Sequence, residues 1–197
     1  MAAADILMSK AQIYYAPVGE SLPDETSVAY GASWGGNWAS AGFSSAPVQM
    51  EWVEGRVGAD IQQALGEIKD WRVDERITLR TMLPELTGAS LALLMHGTNS
   101  DTAAGGAQKA YSRIQAGGQF IVAQKAVGLE GYRPDSAGTL QPIRLFFFKA
   151  SFMLDRGISM SKRDVIGLPI VIKTYPDETK TVGQQLLEMH IVTGPTS

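Results

Sequence analysis

Between Trp71 and Leu83 the sequence alternates between two kinds of side chain. The odd positions are Trp71, Val73, Glu75, Ile77, Leu79, Thr81 and Leu83, and the even positions are Arg72, Asp74, Arg76, Thr78, Arg80 and Met82. Because successive side chains of a strand point to opposite faces, the pattern predicts a long antiparallel strand with one apolar and one charged face, interrupted at Glu75. Such a strand is covered on one side only, so its second face meets water or another subunit.

A short helix is predicted directly after this strand. Pro84 lacks a backbone N–H and has a fixed φ, which suits the first position of a helix. Helical spacing continues through Leu86, Ser90, Leu93 and Leu94, and Gly97 is the predicted C-cap. The chain shows no second comparable helical pattern, so the sequence indicates a β-domain flanked by one helix.

The segment Val48 to Val53 also alternates, and we expect it to form a hairpin with a long strand that begins near Glu67. Residues 54–66 then form a long inter-strand loop with apolar side chains, and loops of this length in compact domains are commonly functional. The small polar residues of 98–110 predict a second, flexible loop, and residues 1–10 predict an N-terminal arm. The turn-rich span Gly128 to Gln141 predicts a further loop, and Ile143 to Lys149 predicts a central strand.

Composition limits the classes of function. A chain of 197 residues predicts a single domain over residues 1–197, and its charged fraction of only 19% indicates surface that is covered in an assembly. The net charge of −3 provides no basic field for tight binding of nucleic acid. The chain has no cysteine, which excludes disulfides and thiolate chemistry. Without a signal peptide or membrane span, we expect synthesis in the cytoplasm.

No catalytic, cofactor-binding or metal-binding pattern is found. The histidines, His96 and His190, are far apart in sequence and have no neighbouring ligand at metal spacing. Carboxylates and arginines alternate on the predicted hairpin, which favours a solvated or intersubunit ion-pair ladder over a glycosidase pair. The tryptophans Trp34, Trp38 and Trp52 are compatible with a carbohydrate site, but for the first two the pattern favours aromatic side chains that fasten a long loop to the core.

Three stretches resemble the tail tube proteins of long-tailed bacteriophages. They are IYYAPVGE (Ile13 to Glu20), SWGGNWASAGFSSAPV (Ser33 to Val48) and EIKDWRVDERITLRTMLPELTGASLALLM (Glu67 to Met95). The later stretch YPDETKTVGQQL is compatible with the same family. Together these stretches are distributed from Ile13 to Leu186, along most of the length of the chain.

The resemblance implies an antiparallel β-sandwich or barrel with one flanking helix and a long hairpin that closes into a ring barrel in the oligomer. It implies a virion protein whose rings, hexameric in this family, stack into a tube that conducts DNA during ejection. The partners would be further copies of the chain, the tape measure, tail tip and terminator proteins, and DNA in transient passage. The positions matching the lumen wall are Gln49, Glu51, Asp70, Arg72, Asp74, Arg76 and Arg80, and those matching the inter-ring loop are Arg56, Val57, Asp60, Ile61, Gln62 and Leu65.

Two alternatives remain open at this point. One is another ring-forming virion part, such as a tail terminator. The other is a carbohydrate-binding or hydrolytic β-sandwich that uses the tryptophans. A closed single ring distinguishes the first from a tube, and a sugar-induced change in tryptophan fluorescence identifies the second.

Overall fold

The computed structural model describes residues 11–60, 67–84, 87–106, 109–134, 138–157 and 167–192, without the side chains of 59–60 and 67–70. The described chain is mainly β. Its elements are β1 Gln12–Ala16, β2 Ala39–Phe43, β3 Gln49–Asp60, β4 Glu67–Leu83, α1 Gly88–Leu94, β5 Thr98–Thr102, β6 Tyr111–Gln115, β7 Lys125–Pro134, β8 Leu140–Leu154, β9 Leu168–Thr174 and β10 Leu187–Ile191.

One large antiparallel sheet organises these elements. Its strand order is β2-β1-β7-β8-β9-β4-β3, and β10 pairs with β8 beside this path. The central strand is β8, as the run of apolar residues from Ile143 to Lys149 predicts, and it pairs with β7, β9 and β10. The sheet curves, and the segment after β2 reaches β4, where the N–H of Ser45 donates to the carbonyl of Met82 at 2.8 Å. The described strands do not close into a complete barrel.

The concave face of the sheet holds the main core. The odd-numbered residues of β4 that were predicted to be apolar, Ile77, Leu79 and Leu83, are buried there with Phe147 and Phe152. The alternation therefore predicts this half of β4 correctly. The paired strand β9 adds Leu168, Ile170 and Ile172 to the same core, and the helix adds Leu94.

The opposite face of the sheet is covered by residues 20–38, which we call the strap. Trp34 of the strap stacks on Tyr14 of β1 with ring centroids 4.0 Å apart, and Trp38 meets Trp34 edge to face at 5.1 Å. The backbone of β7 lies directly beneath Trp34, because a Cβ atom on Gly128 would come within 2.2 Å of that ring. Glycine at this position therefore permits the close approach of the strap to the sheet.

The helix differs from its prediction at both ends. It begins at Gly88 instead of Pro84, because Thr87 caps it by accepting a 3.0 Å hydrogen bond from the N–H of Ser90. At the other end the N–H of Gly97 donates to the carbonyl of Ala92 at 2.7 Å, and His96 takes the left-handed conformation with a φ of 51°. This is a Schellman motif in which His96 occupies the position usually held by glycine. Gly97 instead provides room for β6, since a Cβ atom there would lie 2.4 Å from the carbonyl oxygen of Gln115.

Three predicted loops are wrong in whole or in part. Residues 54–60 continue strand β3, so the hairpin is longer than predicted. Residues 98–102 form β5, which pairs with β6 in a two-stranded sheet beside the helix. The first half of the predicted turn region Gly128 to Gln141 belongs to β7, which runs to Pro134. Residues 61–66 and the predicted arm, 1–10, lie outside the described residues.

Gly128→Ala tests the close packing of the strap on the sheet. We expect this variant to lose about 1–3 kcal/mol of unfolding free energy, because the added methyl group displaces the Trp34 ring. Gly157→Ala is the matched control: a Cβ atom added there would have no other atom within 4 Å, and we expect a change below about 1 kcal/mol. Urea unfolding followed by tryptophan fluorescence measures both. Equal stabilities of the two variants would contradict the packing of Trp34 on Gly128.

Candidate assembly surface

The hairpin of β3 and β4 ends the large sheet. Its ladder runs from the pair Gln49 and Arg80 to the pair Asp60 and Glu67. The inner strand β4 pairs with β9 only from Thr78 to Leu83. The residues of β4 that precede Thr78, and the residues of β3 paired with them, therefore extend past the end of β9. Within the described residues β3 pairs with β4 alone, and β3 therefore forms an edge of the described sheet.

A bulge divides this hairpin into two parts. Gly55 pairs with Asp74 and Arg56 pairs with Arg72, so β4 carries one extra residue, Val73, at this point. An extra residue shifts the alternation by one, and Arg72 therefore shares a face with Glu54 and Glu75. The prediction that Arg72 lies on the same face as Arg76 and Arg80 is wrong for this reason.

The bulge collects a small group of charges. Arg72 contacts Glu54 at 3.0 Å and Glu75 at 2.9 Å, and Arg56 contacts Glu54 at 2.6 Å. The hydrogen bond from Arg56, followed by the charge of Arg72, lowers the pKa of Glu54. The hairpin thus carries an ion-pair cluster within one subunit at the place where the sequence predicted a ladder of charges.

Large apolar side chains are exposed on the same hairpin. Met50 and Trp52 of β3 are 49% and 46% exposed, and Val73 at the bulge is 63% exposed. Val57, assigned above to the inter-ring loop, lies on β3 instead and is 53% exposed. Apolar groups gathered beside an unpaired strand edge are typical of a surface that another protein covers.

A cleft of about 750 Å³ opens between the hairpin and the segment that precedes β10. We call it the hairpin cleft. Its hairpin wall contains Trp52, Val73 and the Arg72 ion pairs, and its other wall contains Pro176 and residues 183–187. The lining combines apolar surface with the acidic residues Glu54, Asp74 and Glu75 and with one basic residue, Arg72.

The other face of the hairpin is polar and partly basic. Arg76, Arg80 and Lys173 surround a shallow hollow of about 340 Å³ together with Glu51 and Thr78. Gln49 lies next to this group, because it pairs with Arg80. The structure therefore brings together four of the predicted wall residues, Gln49, Glu51, Arg76 and Arg80. Asp60 and Asp70 lie on the two strands, but their side chains are outside the described set, as are Ile61, Gln62 and Leu65 entirely.

The sequence is compatible with tryptophans that anchor a long loop or that form part of a carbohydrate site, and the structure places them in different environments. Trp34 and Trp38 are 5% and 8% exposed and lie within the strap packing, so they fasten this loop to the sheet. They present no open platform on which a sugar ring could stack. Trp52 is exposed and lines the hairpin cleft.

A buried charge network beneath the strap was missed from the sequence. Arg144 and Glu130 are both fully buried and are paired across β8 and β7. Arg144 donates to Glu130 at 2.9 and 2.8 Å and also contacts Glu25 of the strap, while Glu130 accepts hydrogen bonds from the N–H of Gly31 and the indole of Trp34. These contacts hold the strap to the sheet through satisfied polar groups.

His190 of β10 extends this network to the surface. Its Nδ1 lies 2.7 Å from Glu25 and its Nε2 lies 2.8 Å from Glu188. Partial burial lowers the pKa of His190, whereas the hydrogen bonds with Glu188 and Glu25 raise this pKa. Together the hydrogen bonds outweigh the burial, so the pKa of His190 is raised above its usual value. The protonated imidazole donates to both carboxylates and links the strap to the last strand.

The stability provided by His190 depends on pH. A pKa raised by folding contributes stability that is complete below the unfolded value, about 6.5, and is lost as pH rises through the higher folded value. At about pH 5.5 we expect the wild-type protein to have a higher melting temperature than the His190→Gln variant. At about pH 8.5 we expect this difference in melting temperature to be smaller. Thermal unfolding at both values measures it. A difference that is equal at the two values, or larger at the alkaline one, would contradict the ionic role of His190.

No protein-family model matches the sequence, and the search of curated proteins gave no significant match. Within the described residues no cluster of three or more histidine, aspartate or glutamate side chains is arranged to hold a metal ion. The described part of the chain also contains no helix of the length and apolarity needed to cross a membrane.

Proposed function

We propose that this protein is the tail tube subunit of a long-tailed bacteriophage and that it works by assembling with copies of itself. The observation that carries the proposal is the hairpin of β3 and β4, which forms an edge of the sheet within the described residues, extends past its neighbouring strand and exposes apolar side chains. The resemblance of the three sequence stretches to tail tube proteins supports the same function. The role is structural and involves no catalysis.

In this proposal neighbouring subunits complete the sheet at the β3 edge. Pairing along this edge removes the open backbone groups, and the exposed Trp52 and Val73 become covered at the contact. Repetition of one contact around an axis closes a ring, and stacked rings form a tube.

The polar face of the hairpin suits the wall of a DNA conduit. Arg76, Arg80 and Lys173 on this face are accompanied by Glu51, and Asp74 lies on the next strand position of the same alternation, so that three cations stand beside two carboxylates. A wall of mixed charge has little net attraction for phosphate, so DNA passes without being retained. This mixed composition supports a conduit in preference to a DNA-binding surface.

The substitution Val57→Asp tests the hairpin as the assembly surface. Burying an unpaired carboxylate in a subunit contact costs about 1–3 kcal/mol, so assembly should require about 5-fold to 160-fold more protein. The folded subunit should change by less than about 0.5 kcal/mol, because Val57 is exposed within it. Light scattering and negative-stain electron microscopy measure assembly, and urea unfolding measures stability.

Val18→Asp provides the matched control, since Val18 is 42% exposed at the end of β1 and not on the hairpin. We expect it to assemble as wild type does. Tubes of normal length from Val57→Asp would remove the hairpin from the proposal. A wild-type protein that stays monomeric at high concentration, even with tail-tip proteins to nucleate assembly, would overturn the function itself.

A further inference from the structure

The loop between β6 and β7 exposes three consecutive apolar side chains. This apolar loop comprises residues 116–124. Phe120 is 103% exposed, Ile121 86% and Val122 43%. Fully exposed phenylalanine and isoleucine side chains in sequence are costly in water, and such groups commonly mark a contact with another molecule.

Two glycines set the conformation of the apolar loop. Gly117 and Gly118 have φ values of 113° and 75°, which side chains with a Cβ atom rarely adopt. The loop therefore leaves β6 through a turn that the sequence specifies, and this turn directs Phe120 and Ile121 away from the sheet into solvent.

The hairpin cleft offers a complementary apolar site on the same chain. Its volume of about 750 Å³ is sufficient for several apolar side chains, and Trp52, Val73 and Leu186 provide apolar lining. Val73 is 63% exposed and Trp52 is 46% exposed. Filling the cleft would cover surface that water now meets.

The charges around the two surfaces are also complementary. The sequence from 109 to 129 contains Lys109, Arg113 and Lys125 and no acidic residue. The cleft face of the hairpin carries two carboxylates, Glu54 and Glu75, and one guanidinium, Arg72. A basic segment that carries an apolar tip therefore faces an acid-rimmed apolar cleft when two copies meet, which favours this pairing over contact between like surfaces.

We propose that the apolar loop of one subunit docks in the hairpin cleft of a second copy of this chain. The proposal deepens the function proposed above by naming both sides of a subunit contact, and it rests on that function for its place in a tube. The contact is heterologous, because different surfaces of the two copies meet. Each subunit keeps one free loop and one free cleft after binding, so the contact repeats into a ring or a filament.

Cysteine cross-linking of two variants tests this contact against the cysteine-free background of the chain. One variant carries Ile121→Cys in the apolar loop. The other carries Val182→Cys, at a position that is 87% exposed and precedes the cleft residue Gly183. The two proteins are mixed, oxidised mildly and analysed by non-reducing electrophoresis, and the position of the disulfide is verified by peptide mapping.

Docking raises the effective concentration of the two thiols, so we expect the mixture to form at least about tenfold more linked dimer than each variant alone. The matched control mixes Ile121→Cys with Ser100→Cys, an exposed position on β5, and should give only the background of the single variants. The substitution Phe120→Asp, placed in the Ile121→Cys chain, should reduce the linked dimer to that background, because it places a carboxylate against the acidic rim.

The outcomes separate this proposal from the function above. Assembled wild-type protein with no excess of the mixed cross-link overturns the docking and leaves the tube function in place. Cross-linking within either single variant indicates contact between like surfaces and also overturns it. A selective mixed cross-link in a protein that forms neither rings nor tubes supports the docking and overturns the tube function. A strict monomer without the cross-link overturns both.

Discussion

A strand at the edge of a sheet can pair with a further strand through its outer backbone groups, and within the described residues β3 is such an edge strand. Soluble proteins usually protect such an edge with proline, charge or a short length, yet β3 has 12 residues and carries Met50, Trp52 and Val57 exposed along it. The bulge opposite Gly55 and the ion pairs of Arg72 give local polarity but leave these side chains in water. A partner that extends the sheet satisfies the backbone and covers the apolar groups in one contact.

The sheet from which this hairpin extends is packed on both faces. Both faces of the central strands are covered, one by the main apolar core and the other by the strap. The strap is held by tryptophan packing above Gly128 and by the buried pair of Arg144 and Glu130. Breaking such a pair leaves an uncompensated buried charge, which costs about 3–5 kcal/mol, so the network favours one position of the strap. The elements that pack against the hairpin base are thereby held in fixed positions.

The sequence predicts those parts of the structure in which local pattern and burial agree. Alternation identifies Ile77, Leu79 and Leu83 as core residues, and apolar content identifies β8 as central. Residues 54–60 resemble a loop because Gly55 and Gly58 interrupt their pattern, whereas the first of these glycines lies at the bulge of a continuous strand. Thr98–Thr102 has no apolar period, and only its pairing with β6 makes it a strand. The network of Glu130, Arg144, Glu25 and His190 joins side chains distant in sequence through sheet register, which no local pattern contains.

Hydrogen exchange of the β3 amides in dilute and in assembled protein tests most directly whether a second copy completes this edge. We expect amides of residues 49–60 on the outer edge to exchange readily in the dilute subunit and to become protected on assembly, while those of β8 are protected in both states. Assembled protein in which β3 exchanges as fast as in the dilute subunit would contradict completion of the edge by a second copy.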